Sequence, residues 1–335
     1  MQTARRPSEP DNPLTRLSFL LADDMRQVNA LILANMQSDV RMIPQLAGYL
    51  IAAGGKRIRP LLTLAATRLY GYEGPRPYAL AAAVEFIHTA TLLHDDVVDG
   101  SEERRGQKAA NLIFGNQSSV LVGDFLFSRA FQLMVADGSL DVLRILSHAA
   151  AVIAEGEVMQ LTTANNLRTT FVEYEQVIQA KTAALFAAAC EIGPIVAGTD
   201  GDAAASLRDF GMNLGLAFQI VDDVLDYSAA QEKLGKTVGD DFREGKMTAP
   251  VLLALENASV EERGFWQRTM GDLDQTPDDL RTAQGILTRH DAIAKGIGLA
   301  RAYADKARSA LHVAPEGPLR ELLDDVLTFT VTREF

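Results

Sequence analysis

The stretch Phe86–Gly106, FIHTATLLHDDVVDGSEERRG, decides how the chain is read. An apolar run with helical spacing ends in three aspartates, a glycine and then two arginines. Asp95 and Asp99 stand one helical turn apart, so a helix stacks them on one face, with Asp96 about 100° round. A second cluster of the same shape, FQIVDDVLDY at 218–227, carries Asp222, Asp223 and Asp226. The first pattern predicts a helix from near Pro77 to Gly100, a suitable C′ residue, and the second ends before the polar run from Ser228. Both triplets therefore sit at the helix end where the dipole disfavours negative charge, and within each triplet like charges repel. Bound cations relieve both problems, so the triplets read as facing walls of one metal site.

A lone acidic helix end is usually just solvated; it is the recurrence that points to metal. An EF-hand fails on spacing. With Asp95 and Asp99 at loop positions 1 and 5, the residues due at 3 and 12 are Val97 and Gly106, and neither is acidic. Carboxylates without a full protein cage suit Mg²⁺, which keeps waters and shares substrate phosphates.

Outward from these helices, hydrophobic residues make up 47% of the 335, enough for a sizeable core, and no interior stretch has linker composition. The net charge of −12 argues against nucleic acid or an anionic membrane surface as a partner. The single cysteine, Cys190, excludes an internal disulfide. Its place in an alanine-rich run suits a buried packing residue in a reducing compartment. Uninterrupted apolar runs such as 183–190 fall short of a membrane span, and no secretory signal is visible. A cytoplasmic protein without a stable membrane anchor is expected.

Residues 1–13, with three prolines, predict a disordered arm before one domain over 14–335. A helical stripe runs from Leu17 to Met36. Pro60 is expected to open a helix as its first residue, Ser118 to cap another, and Asp202 to cap the helix of the second triplet. Thr170 with Glu173, Ser259 with Glu262 and Thr276 with Asp279 resemble capping boxes. No hairpin signal or alternating strand is evident. Roughly a dozen helices in an all-α domain are expected.

In such an acidic chain, clustered cations stand out. Gly54, Gly55, Lys56, Arg57 and Arg59, in GGKRIRP, form a basic turn whose glycines allow close approach of a ligand and whose cations suit phosphate. Arg104 and Arg105 follow the first triplet. Lys181, Lys236 in LGKTVGDD, and Lys246 make a second set. A basic turn alone is usually solvated, but metal carboxylates ringed by cations suit concentrated negative charge, such as a diphosphate. His88 lies two helical turns before Asp95 on nearly the same face. A lone histidine on an apolar helix is more often a core residue, and this alignment adds a binding role to that reading. The chain has no HExxH, CxxC, Walker A or GxGxxG motif.

GGKRIRP, LLHDDVVDGSEERRG, Lys181–Thr182, FQIVDDVLDY and GKTVGDD follow the order and spacing of the trans-prenyl diphosphate synthases, and from Gly54 to Lys246 the chain resembles that family. The resemblance implies an isoprenoid-synthase-type helical bundle around a central cavity, usually homodimeric. It implies Mg²⁺-dependent condensation of isopentenyl diphosphate with an allylic diphosphate. It assigns Asp95, Asp99 and Asp222 to Mg²⁺, with Asp96, Asp223 and Asp226 in support. Lys56, Arg59, His88 and Arg105 match the isopentenyl diphosphate pocket. Arg104, Lys181, Thr182, Gln219, Lys236 and Lys246 match positions that contact the allylic diphosphate, Lys181 and Lys236 among the catalytic group.

Product length follows from the same helix. In the family, bulky residues four and five positions before the first aspartate stop growth early. Here these are Thr91 and Ala90, and Ala83 and Ala82 continue the narrow wall. One helical turn rises ~5.4 Å, close to one isoprene unit, so this wall and the likeness to long-chain members imply about eight to ten units for a quinone side chain. Phe127, Phe131 or Met134 are candidates for the tunnel floor. A short-chain farnesyl or geranylgeranyl diphosphate synthase and a non-catalytic helical partner subunit are the competing readings. A terpene cyclase fits less well, because the second motif is DDVLD.

Overall fold

The computed structural model describes residues 12–52, 54–104, 106–199, 201–228 and 238–332. Most of the expected arm, together with Arg105 and Lys236, lies outside them. The described residues are all-α apart from one hairpin of two-residue strands.

The first-triplet helix, α5 (Arg76–Val98), is central. Its apolar residues come in runs rather than a narrow stripe, because it is covered on several sides. Packed on it are α2 (Ala22–Asn35), α4 (Ile58–Leu69), α7 (Asn116–Asp137) and α10 (Ala184–Ala197). The second-triplet helix, α11 (Gly201–Asp226), lies between α10 and α16 (Ala292–Leu311). Gly211 and Gly215 let α11 approach α10 closely. A Cβ at Gly211 would stand 2.4 Å from the Phe186 carbonyl oxygen, and one at Gly215 would stand 2.6 Å from Ala183 Cα. One apolar cluster gathers around α4, α5 and α10, and a second around α11, Trp266 and α16.

Local details depart from the sequence reading. The stripe from Leu17 to Met36 is split at Leu21 into α1 (Pro13–Leu20) and α2. Asn12 caps α1 by accepting the Leu14 N–H, so the expected arm stops short of Pro13. Pro60 is the third residue of α4, not the first, because Arg57 holds the cap position in a left-handed conformation. Gly115, with φ +85°, replaces Ser118 at the start of α7. Asp202 lies inside the first turn of α11. The Thr170–Glu173 and Ser259–Glu262 boxes form. Asp279 does accept from Thr276, but it opens its own helix, which Asp278 precedes. A hairpin that the sequence did not signal pairs β1 (Glu103–Arg104) with β2 (Gln107–Lys108), just after the first triplet.

Among the described residues, two helical stretches are long and apolar enough to span a membrane, contrary to the expectation from uninterrupted runs. Phe171–Ala197 is 72% buried and serves as a core element. The α7 stretch is only 33% buried.

Candidate active site

The ends of α5 and α11 face one cavity of about 690 Å³. Asp95, Asp99 and Asp222 line it, and so do Lys56, Arg59 and His88 on one side. Lys181, Thr182, Gln219, Lys246 and Arg104 continue the polar lining, and Arg57, Glu85 and Glu157 add to it. Thr91, Leu92, Phe186 and Phe218 supply apolar wall.

The six aspartates divide by surroundings. Asp96 is buried; its carboxylate accepts from Arg104 Nε at 2.6 Å, which fixes that arginine against the end of α5. Its Oδ2 is buried with no partner among the described residues. Asp223 is likewise buried and accepts from Tyr174 Oη at 2.6 Å and Gln219 Nε2 at 2.8 Å. Burial, with the charges of Asp222 and Asp226, pushes its carboxyl up to about 7 against those two hydrogen bonds. Asp226 accepts backbone N–H groups of Gly239, Asp240 and Asp241 at 3.2, 3.2 and 3.0 Å, anchoring the short helix α12 (Asp240–Arg243). Asp95, Asp99 and Asp222 keep carboxylates on the cavity.

Two lysines balance the first wall. Lys181 donates to Glu157 at 2.7 Å and lies 3.6 Å from Asp95. Lys246 donates to Asp99 at 3.1 Å and contacts Glu244. Although burial opposes its charge, Asp241, Asp99 and Glu244 hold the Lys246 ammonium above its ordinary range. Burial raises the Asp95 carboxyl, Lys181 offsets part of that rise, and the charge of Asp99 adds to it.

Local backbone places Lys181 and Thr182. A π-helical turn, Gln179–Ala183, joins α9 (Phe171–Ile178) to α10 and carries both residues. Such bulges insert an extra residue and re-aim side chains, often at functional sites. Gly156 of α8 (Leu140–Thr163) permits the approach, since a Cβ there would stand 2.8 Å from Ala180 Cβ and Lys181 N. Thr182 donates to Gln219 Oε1 at 2.7 Å, completing the chain Thr182–Gln219–Asp223–Tyr174. On the far side, Arg59 lies 3.2 Å from His88 Nε2 and 4.4 Å over the Phe186 ring.

Glu157 was missed by sequence reasoning. Burial and the charge of Asp95 push its carboxyl up to about 7. Its sequence signal was two carboxylates flanking a glycine in an otherwise apolar helix. His94 turns away to the Val120 carbonyl at 3.1 Å. The length-setting candidates separate as well. Thr91 lines the cavity, whereas Ala90, Ala82 and Ala83 are fully buried in the core. Phe127 is partly buried, Met134 buried, and Phe131 is 42% exposed on the outer surface.

Among the described residues no three carboxylates, histidines or cysteines already converge as a metal cage. The donor set still fits a divalent cation: oxygen donors on two walls of a wide cavity suit an ion that draws the rest of its shell from water and phosphate. The raised Asp95 carboxyl marks negative charge that such an ion would relieve.

The sequence pattern of the polyprenyl synthetase family matches residues 40–287. This chain belongs to that family. As a polyprenyl synthetase it is 46% identical to the octaprenyl diphosphate synthase of Escherichia coli, over 96% of this chain and 99% of that one. Its fold matches a Caulobacter crescentus polyprenyl synthase solved with calcium and isoprenyl diphosphate, with TM-score 0.93, 53% identity, and coverage of 97% and 99%. It also matches a Rhodobacter capsulatus decaprenyl diphosphate synthase, with TM-score 0.92, 52% identity, and coverage of 96% and 100%. The motifs of this polyprenyl synthetase that carry cavity residues all lie within the matched span.

Proposed function

We propose that this chain is an Mg²⁺-dependent long-chain polyprenyl diphosphate synthase, adding isopentenyl diphosphate head-to-tail to an allylic diphosphate. The observation that carries this reading is the sharing of one cavity by the carboxylates of Asp95, Asp99 and Asp222 and by Lys56, Arg59, Arg104, Lys181 and Lys246. Bound Mg²⁺ would draw negative charge from a departing diphosphate. Lys181 and Lys246, each beside a first-wall aspartate, hold the allylic diphosphate, with Thr182, Gln219 and Arg104 orienting it. Lys56, Arg59 and His88 hold the isopentenyl diphosphate opposite. Arg105 and Lys236 join these two sets by motif. Phe186, Phe218 and Leu92 keep water from the carbocation that ionisation leaves. The isopentenyl double bond attacks that cation, and loss of a proton completes the unit.

The resemblance to octaprenyl and decaprenyl synthases, together with the small side chains of α5 (Ala90, Thr91), supports about eight to ten isoprene units, one per ~5.4 Å helical turn, as for a quinone side chain. A homodimer is supported by the exposed apolar residues of α7. Leu121, Phe131 and Val135 fall at helical spacing, and Leu112 and Ile113 of the preceding α6 (Ala110–Phe114) extend the patch. A cytoplasmic site of action suits the single, fully buried cysteine.

The test is incubation of the purified chain alone with both diphosphates and Mg²⁺, followed by chromatography of the product. A C40–C50 ladder is expected. Only C15 or C20 product would establish the short-chain reading, and no turnover without a second protein would establish the partner-subunit reading.

A further inference from the structure

We propose that Glu85, acting through Arg57, is the positioning residue of the isopentenyl diphosphate pocket; the inference rests on the function proposed above. Arg57 sits between Lys56 and Arg59 in the basic turn, and its backbone is left-handed at φ +48° and ψ +37°. A non-glycine residue there is strained by about 1–2 kcal/mol and persists only where its surroundings hold it. What holds it is Glu85 of α5, whose Oε1 accepts from Arg57 Nη1 at 2.5 Å. The pair is well shielded, with side chains 18% and 10% exposed.

Glu85 is a lone carboxylate in the apolar run AAAVEFIH, three residues before His88. The two therefore share a face of α5, and both line the main cavity. One helix face thus holds Arg57 through Glu85 and Arg59 through His88. The αL turn at Arg57 sets how Lys56, just before it, and Arg59, two residues on, meet across the pocket. Glu85 also lines a second, mostly apolar cavity behind α5, with Arg57, Phe86 and Leu92. It stands at the partition between the two, and Arg57 lines both as well.

A carboxylate beside a pocket for a diphosphate is, on charge alone, harmful to binding. Its presence is explained if its contribution is geometric, and the two accounts predict opposite signs. If Glu85 positions the turn, Glu85→Gln loosens Arg57 and raises KM for isopentenyl diphosphate. If Glu85 is only a nearby charge, its removal lowers that KM.

The experiment is steady-state kinetics of the purified chain with each substrate varied in turn. Glu85→Gln is expected to raise KM for isopentenyl diphosphate on the order of tenfold, the scale of one charge-assisted contact. The KM for the allylic substrate and kcat should move by no more than about twofold. A lowered or unchanged isopentenyl KM, or equal change in both KM values, overturns the proposal. Should Glu85→Gln not fold, Arg57→Gly and Arg57→Ala carry the same decision. Glycine adopts the left-handed conformation freely, so Arg57→Ala should have the higher isopentenyl KM by severalfold, about what 1 kcal/mol gives. Equal KM values for these two variants would mean that Arg57 acts only as a charge on the substrate, and would overturn the proposal. Wild-type protein that makes no prenyl product would instead overturn the function reading itself.

Discussion

The two aspartate walls look alike in sequence and differ in which carboxylates reach the cavity. At the end of α5, Asp95 and Asp99 line the cavity, each beside a lysine, and only the middle aspartate is withdrawn, to Arg104. At the end of α11, only Asp222 lines the cavity. There Asp223 is tied to Tyr174 and Gln219, and Asp226 to three backbone amides. The same DDxxD spelling therefore puts two carboxylates on the cavity from one wall and one from the other. A helix repeat fixes which residues share a face; what packs beside that face decides which stay available.

The largest effect separates the carboxylates that line the cavity from those withdrawn from it. Asp95→Ala, Asp99→Ala and Asp222→Ala should each lower kcat by on the order of 10²–10⁴, since metal stabilisation of the leaving charge amounts to several kcal/mol. Asp226→Asn should lower it far less, because its carboxylate caps α12. Steady-state turnover at saturating Mg²⁺ measures both. If Asp226→Asn falls as far as Asp222→Ala, the asymmetry between the walls is wrong.

Next is an effect carried by the α5 wall alone. Ala90→Phe should shorten the product towards three or four units, with catalysis retained, because Ala90 is about one and a half turns from Asp95. Product chromatography reads this. An unchanged length distribution would remove Ala90 from the tunnel wall, a result that its complete burial makes informative.

The middle aspartates differ in partner charge, and stability should reveal it. Asp96→Asn leaves Arg104 without its counter-charge and should cost about 1–3 kcal/mol, moderated by the partial exposure of Arg104. Asp223→Asn keeps an oxygen for Tyr174 and removes a buried charge that only neutral donors solvate, so it should cost less than about 1 kcal/mol. Urea midpoints of the two variants decide, and equal losses would contradict the distinction.

These contrasts also mark what the sequence could carry. Both triplet helices and the lysines at 181 and 246 were legible, because carboxylates ending apolar helices need cations and the helical repeat places them. The π-turn at 179–183 was not, since an inserted residue is selected by packing of α8 across Gly156, which no local pattern encodes. The hairpin at 103–108 was not, because strands of two residues have no alternation to detect. Glu85 and Glu157 were passed over for a related reason. A carboxylate on a helix reads as a solvated residue until its partner, distant in sequence, is placed beside it.

The smallest effect lies outside both walls and tests what burial does to a carboxylate. Asp223 and Glu262 each accept more than one hydrogen bond, yet burial and two neighbouring carboxylates raise Asp223 to about 7, whereas Glu262 is lowered from 4.5 to about 2. The Ser259 N–H, His290 and Arg289 all favour its charged form, and Arg289 is largely in solvent. A carboxyl with a lower pKa folded than unfolded adds stability that is complete above about pH 4.5 and lost as pH falls towards 2. Glu262→Gln should therefore flatten the acid side of the stability curve between those limits and cost about 1 kcal/mol at neutral pH, the usual scale of a helix cap, given the screening of Arg289. Thermal melts of wild type and variant from pH 3 upward read the difference, in steps of about 2–4 °C per kcal/mol. Parallel melting curves across that range would mean that the Ser259–Glu262 box contributes no charge-dependent stability, and that its three donors do not act on Glu262 as their geometry implies.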